Sequence, residues 1–191
     1  MLNVLVTGSK GFIGKNLYVA LRRHADVFLS EYDLGNSSDE LHRSLLSADV
    51  IFHLAGVNRP ENPSEYETGN VGFTSAICSI LGRYARAPKI VFASSIQVDQ
   101  DNAYGASKRK AEASLRAFSD STNATCVVYR LKNLFGKWCR PNYNAVTATF
   151  CHNIAHDLPI TISNPAEQRL LNLGRKPPSG RTSAAGLLYP D

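Results

Sequence analysis

Val4-Leu5-Val6-Thr7-Gly8-Ser9-Lys10-Gly11-Phe12-Ile13-Gly14 is the stretch whose reading decides the fold. A short apolar run ends in Thr-Gly, and glycines follow at positions 8, 11 and 14. That pattern reads as a strand, a tight turn and the start of a helix. Such a turn needs residues without Cβ, so that backbone N–H groups approach a pyrophosphate and the helix packs close to the strand. The free N–H groups and the helix dipole then favour an anion. A glycine fingerprint alone is weak evidence. Here it follows a strand and precedes a helical pattern, the context that gives it weight. The stretch predicts dinucleotide binding.

Outward from this turn, strands and helices alternate. The first helix is expected from Gly11 to Arg23, with Phe12, Ile13, Leu17, Val19, Ala20 and Leu21 on its buried side. A second strand over Val27–Glu31 ends near two acids, Glu31 and Asp33. An acid about 20 residues after the glycines binds adenosine ribose hydroxyls, so Asp33 favours NAD(H) and repels a 2′-phosphate. Lys10, inside the glycine loop, would attract that phosphate. The two clues conflict, and both residues are equally at home as solvated surface. Ser38 is a candidate N-cap for a helix reaching Ser47, with acids in its first turn. A strand over Asp49–Leu54 runs into the small pair Ala55-Gly56. A helix over 64–86, a strand over 89–94, a helix over 104–119, a strand over 125–131, a helix over 143–156 and a short strand over 160–163 complete the regular part. This order predicts an α/β fold, a Rossmann-type doubly wound parallel sheet with helices on both faces. Residues 1–166 form the expected dinucleotide-binding domain. Residues 167–191 have no clean period and four prolines and three glycines fall between 165 and 191, so a tail of low order is expected.

Bulk properties narrow the partners. The chain has 191 residues, enough for one domain with its own core, and a net charge of +5. Two of those charges belong to the tail, where Arg169, Arg175, Lys176 and Arg181 outnumber Glu167 and Asp191. The rest does not call for nucleic acid. Cys78, Cys126, Cys139 and Cys151 are scattered without a paired spacing, which points to reduced thiols. Cys139 and Cys151 lie near His152 and His156, but no ligand spacing repeats, so no metal is expected. No apolar run approaches the ~20 residues of a membrane span, and the apolar start reaches Gly8 too soon for a signal peptide. A cytoplasmic protein is expected.

Two further features carry chemistry. Tyr104 and Lys108 form Tyr-x-x-x-Lys, which places both on one face of a helix. An ammonium beside a phenol favours its ionised form, so the phenol exchanges a proton nearer neutral pH. Ser94-Ser95 ends the preceding strand, where open parallel sheets place their sites, and a hydroxyl there reaches a substrate carbonyl. Each feature alone is common in ordinary helices and strand ends. Glycine turn, strand-end serine and Tyr-x-x-x-Lys in that order are far more specific.

On these residues the chain resembles the extended short-chain dehydrogenase/reductases of the sugar-nucleotide type. The carrying motifs are Thr7-Gly8-x-x-Gly11-Phe12-x-Gly14, His53-Leu54-Ala55-Gly56, Asn70-Val71-Gly72, Ser94-Ser95, Tyr104-x-x-x-Lys108 and Arg130-x-x-Asn133-x-Phe135-Gly136. More narrowly, His53 to Glu61, Ser94 to Gln97 and Asn133 to Asn144 resemble the capsular-polysaccharide reductase family, over about residues 1–166. The resemblance implies reduction of a UDP-linked 4-keto-6-deoxy-N-acetylhexosamine on the way to UDP-N-acetyl-L-fucosamine, with NADP(H) as cofactor. The UDP-sugar is the expected partner, and pairing into a homodimer stays open.

Carried over motif by motif, Ser95 holds the keto oxygen and Tyr104 protonates it. Lys108 lowers the Tyr104 pKa and hydrogen-bonds the nicotinamide ribose, and Asn70 joins the proton relay. Gly8, Gly11 and Gly14 pass the pyrophosphate beside Lys10, Phe12 and Ile13, with Leu54, Ala55 and Gly56 lining the cofactor. Asn133 touches the substrate phosphates; Arg140 and Asn142 reach the nucleotide. Trp138 and Tyr143 are equally suited to packing and to substrate contact. Related 4,6-dehydratases carry Asp-Glu after the active-site hydroxyl. Ile96-Gln97 stand there and do not ionise, which argues against dehydration. A 4-epimerase stays open.

The chain departs from the pattern in two places. Lys132 stands where an uncharged residue is expected beside the nicotinamide. After Asn164 the family's further strand, the remainder of its substrate lobe and its metal-binding cupin domain do not follow. Residues 167–191 read as an out-of-frame or engineered end, so an incomplete substrate lobe and weak or absent turnover are expected. A catalytically idle NAD(P)-binding fragment is the alternative.

Overall fold

The computed structural model describes residues 1–161 and the backbone of 170–172, 181–182 and 187–189. Five parallel strands form the centre: β1 (Leu2–Thr7), β2 (Val27–Tyr32), β3 (Val50–His53), β4 (Lys89–Ser95) and β5 (Cys126–Leu131), in the order β2-β1-β3-β4-β5. Leu5 pairs with Ile51, Ile51 with Ile90 and Ile90 with Cys126, so fully buried side chains line up across the sheet. Strands covered on both faces read as continuous apolar runs, as Val4-Leu5-Val6 does. The fold is a doubly wound α/β sheet. Its order reverses between β1 and β3, and the crevice above their carboxyl ends is where such sheets take ligands.

Three helices cover one face. They are α2 (Ser38–Ser47), α4 (Phe73–Arg83) and α5 (Ala103–Thr122). Leu45, Ile77, Leu81 and Leu115 bury fully there against Leu5, Ile51, Ile90 and Phe92. The N-cap of α2 is Ser37, one residue before the expected cap: the Ser37 hydroxyl accepts the Glu40 N–H while the Glu40 carboxylate accepts the Ser37 N–H, a reciprocal capping box. A short turn, α3 (Ser64–Tyr66), runs through a π-helical stretch (Glu67–Gly72) into α4. The stretch places Asn70 inward and fully enclosed.

α1 (Phe12–Leu21) packs on β1 and β2. Its Gly14 is buried, whereas Val19 and Ala20, expected on the buried side, are exposed. Asn102 caps α5 through its side chain, and Asn123 ends it in the left-handed conformation.

Beyond β5 lie β6 (Asn133–Phe135) and α6 (Val146–Ala155), then β7 (Leu170–Asn172), β8 (Arg181–Thr182) and β9 (Leu187–Tyr189). β6 pairs with β7 in a separate parallel ribbon, β9 extends the main sheet beside β5, and β8 runs antiparallel to β9. β6 and these three late strands were not expected from the sequence. The strand expected at 160–163 is not formed at 160–161, and 162–163 lie outside the described residues, as does most of the expected low-order tail.

Candidate active site

The glycine loop is built by contact with β3. Gly8 has φ of +70°, and a Cβ on it would lie 2.7 Å from the Ala55 amide nitrogen. A Cβ on Gly14 would meet the Gly8 carbonyl and the Ser9 backbone. The Gly8 carbonyl accepts the Gly11 N–H at 3.1 Å, closing the turn. Ser9 is buried with its hydroxyl unpartnered, a polar atom left waiting at the mouth of the loop. Asp33 ties this loop to the end of β2: one oxygen accepts the Lys10 N–H at 2.7 Å and the other the Leu34 N–H at 2.8 Å.

Behind the loop stands a buried imidazole. Thr74 donates its hydroxyl proton to the Asn70 carbonyl at 2.7 Å, so its oxygen accepts from His53 Nε2–H at 2.9 Å. That assignment leaves His53 Nδ1 to accept from the Thr7 hydroxyl at 2.9 Å. Burial, with the Lys108 charge adding to it, pushes the His53 pKa down to about 3, so the ring is neutral. The Asn70 side chain clamps the next segment. Its oxygen accepts the Val57 N–H at 2.8 Å, and its nitrogen donates to the Val57 carbonyl at 3.0 Å and to Ser107 Oγ at 2.9 Å. Both amide protons are thus committed to protein groups.

The strand-end serine and the helical pair meet on this same side. Ser95 Oγ accepts the Gln97 N–H at 3.2 Å, and its hydroxyl is near enough to the Tyr104 phenol to favour the ionised form. Gly105 allows this approach, since a Cβ there would collide with the Gln97 and Gln100 carbonyls. Lys108 is buried; its Nζ donates to the Ala93 carbonyl at 3.0 Å and lies 4.8 Å from the centre of the Phe92 ring. A Cβ on Gly56 would stand 3.1 Å from that Nζ and 2.9 Å from Asn70 Oδ1. Gly8, Ala55, Gly56 and Lys108 therefore form one continuous wall.

The electrostatics correct one expectation. Burial raises the Tyr104 pKa, Ser95 partly offsets it, and Tyr66 and Tyr143 raise it further. Lys108 is not what lowers the phenol here. Burial brings the Lys108 pKa down to about 8, and Glu112 opposes that fall.

Beside Tyr104 opens a cleft of about 410 Å³ lined by Asn58, Arg59, Tyr66, Gln97, Asn102 and Asn144 among others. Tyr143 reaches it indirectly, with the Arg59 guanidinium 5.0 Å over its ring. Asn133, on β6, and Arg140 and Asn142, on the loop after it, are exposed and do not line this cleft. A second cleft of about 230 Å³ lies between the glycine loop and α1, lined by Ser9, Lys10, Lys15, Tyr18, Val19, Glu31 and Trp138. Trp138 is brought there because the Lys137 carbonyl accepts from the Asn16 side chain at 2.9 Å.

Sequence reasoning missed Ser9, Arg59 and Glu112. Only Glu112 left a signal, standing one helical turn after Lys108. The Leu54 and Ala55 backbone follows β3 and abuts Gly8, and Phe12 and Ile13 are half-buried at the start of α1. The glycine cradle and the unpartnered Ser9 hydroxyl fit a dinucleotide pyrophosphate.

The model of the NAD dependent epimerase/dehydratase family matches residues 4–170. The chain belongs to that family. Within it, the chain is 44% identical over 167 residues to the UDP-2-acetamido-2,6-beta-L-arabino-hexul-4-ose reductase of Pseudomonas aeruginosa, covering 87% of this chain and 45% of that protein. It superposes on the capsular polysaccharide assembling protein CapF from Staphylococcus aureus with a TM-score of 0.78 and 43% identity, covering 91% of this chain and 47% of that one. The UDP-glucuronic acid 4-epimerase of Bacillus cereus, solved with UDP-glucuronic acid and NAD, shares the fold at TM-score 0.78 and 18% identity, over 91% of this chain and 70% of that one. The chain thus spans about half the length of the curated relatives it matches. Among the described residues, no helix is long and apolar enough to cross a membrane.

Proposed function

We propose that this epimerase/dehydratase family chain carries the cofactor-binding and proton-donating half of a reductase acting on a UDP-linked 4-keto-6-deoxy-N-acetylhexosamine. The observation that carries this reading is the placing of the Ser95 hydroxyl and the Tyr104 phenol within each other's influence, with Lys108 one helical turn on, against the wall that Gly8 and Gly56 begin. The 44% identity to a hexulose reductase supports the substrate class. A bound NAD(P)H supplies hydride. The Ser95 hydroxyl orients the keto oxygen, and the Tyr104 phenol, protonated at neutral pH, gives its proton to that oxygen as negative charge develops there. Lys108 holds a positive charge under the site and presents its remaining protons toward Gly56.

We further infer a preference for NADPH. The Asp33 carboxylate is turned onto backbone N–H groups, and Lys10 and Lys15 outnumber Glu31 in the cleft between the glycine loop and α1. On the family resemblance, Asn133 is proposed to touch the substrate phosphates, and Arg140 and Asn142 the nucleotide of the UDP-sugar.

Incubation with NADPH and the UDP-4-keto sugar tests the reading. Loss of nicotinamide absorbance matched by formation of the 4-hydroxy sugar supports a reductase. Interconversion of 4-hydroxy epimers without net cofactor consumption would favour the epimerase alternative, and dinucleotide binding with no product would leave an idle fragment.

A further inference from the structure

We propose that Glu112 is a positioning residue for the Ser95/Tyr104/Lys108 site, a fixed carboxylate that holds Lys108 in its charged form and pins the strand carrying Ser95 to the helix carrying Tyr104. Glu112 is nearly fully buried, and its position is set by three hydrogen bonds. Ser94 Oγ donates to its Oε1 at 2.5 Å. Arg130 at the end of β5 donates through Nε to Oε1 at 3.1 Å and through a terminal nitrogen to Oε2 at 2.7 Å, a two-pronged grip that fixes the plane of the carboxylate. Arg130 also reaches Asp99 at 3.5 Å, on the turn that follows Ser95. One side chain thereby joins α5, β4 and β5 directly, and the turn after Ser95 through Arg130.

Glu112 follows Lys108 by four residues on α5, so the two side chains share a helix face. The groups facing Lys108 are few. His53 approaches from β3 and is neutral, with its pKa pushed to about 3. Tyr104 stands one turn earlier on α5, and the Ala93 carbonyl and Phe92 ring of β4 complete the pocket. Glu112 is the group that raises the Lys108 pKa against burial, which brings it to about 8. Arg130 tempers that carboxylate from β5, Asp99 tempers Arg130, and Arg116 lies one turn further along α5. The Ser94-Glu112-Arg130 set thus works through Lys108, without touching substrate.

The inference rests on Tyr104 and Lys108 being the catalytic pair, and its test needs no substrate. An NMR titration of lysine side-chain nitrogens in the full chain, with Lys108 assigned by its absence in Lys108→Met, should give a midpoint near 8 for Lys108. In Glu112→Gln that midpoint should fall by about one pH unit or more. An unchanged midpoint in a folded Glu112→Gln chain overturns the proposal. If Glu112→Gln does not fold, Arg130→Gln decides, because the Arg130 side chain is 36% exposed and can be shortened outside the core. Freed of its guanidinium partner, Glu112 should then raise the Lys108 midpoint, and a midpoint that stays or falls overturns the proposal. A chain that shows the expected titration yet never reduces a keto sugar would sink the reductase reading and leave this one intact.

Discussion

Gly8 backs onto Ala55 so closely that a methyl group on Gly8 would sit 2.7 Å from the Ala55 amide nitrogen. The loop that is to receive a pyrophosphate is thus also a packing joint between β1 and the end of β3. Gly8→Ala must meet both the left-handed strain, about 1 kcal/mol, and a backbone collision that no rotamer relieves. It should lower the melting temperature by several degrees and abolish dinucleotide binding. Gly35→Ala is the control: its φ is +99° with open space around it, so it should show the strain alone and bind normally. Calorimetry and NADPH titration of both variants check this.

His53 predicts an acid weakness. Its folded pKa of about 3 lies below the ordinary imidazole value of about 6.5, so between those limits the unfolded chain binds the extra proton. Stability should therefore be intact above about 6.5 and fall as pH drops toward 3, by on the order of 3–5 kcal/mol in all. Urea midpoints measured from pH 7 to pH 4 should show the fall. In His53→Gln, which keeps a donor and an acceptor between Thr7 and Thr74, this part of the slope should vanish.

The start of α2 separates two adjacent serines. Ser37→Ala removes a cap bonded both ways to Glu40 and should cost about 1 kcal/mol. Ser38→Ala removes no cap and should cost nearly nothing. Chemical denaturation distinguishes them.

Lys10 bears on the cofactor. Lys10 is among the residues that line the cleft between the glycine loop and α1, while its backbone N–H is held by Asp33. Lys10→Ala should weaken NADPH binding roughly tenfold and leave NADH nearly untouched. Equal losses for both cofactors would contradict the preference for NADPH.

Much of this was legible in the sequence, for identifiable reasons. Val4-Leu5-Val6 and the glycines after it gave the first strand and turn because close backbone approach leaves few residue choices. Tyr104 and Lys108 were legible as a pair because helical spacing is local. The Ser37 cap is legible too, in Ser37-x-x-Glu40. β6 left no trace because Asn133–Phe135 is a strand only by pairing with a segment more than 30 residues on. The π-helical stretch around Asn70 is invisible to a 3.6-residue period. The direction of the Tyr104 pKa depends on how deeply the phenol is buried and on Ser95 reaching it, neither of which spacing reveals.

The central claim is that the Tyr104 phenol is the proton donor to a keto oxygen held beside the dinucleotide. The most direct measurement compares NADPH oxidation in the presence of the UDP-4-keto sugar for the parent chain and for Tyr104→Phe, with NADPH affinity measured for each. The account predicts that Tyr104→Phe loses roughly 100-fold or more in rate while binding NADPH as before. A Tyr104→Phe chain that reduces the sugar at the parent rate would contradict it.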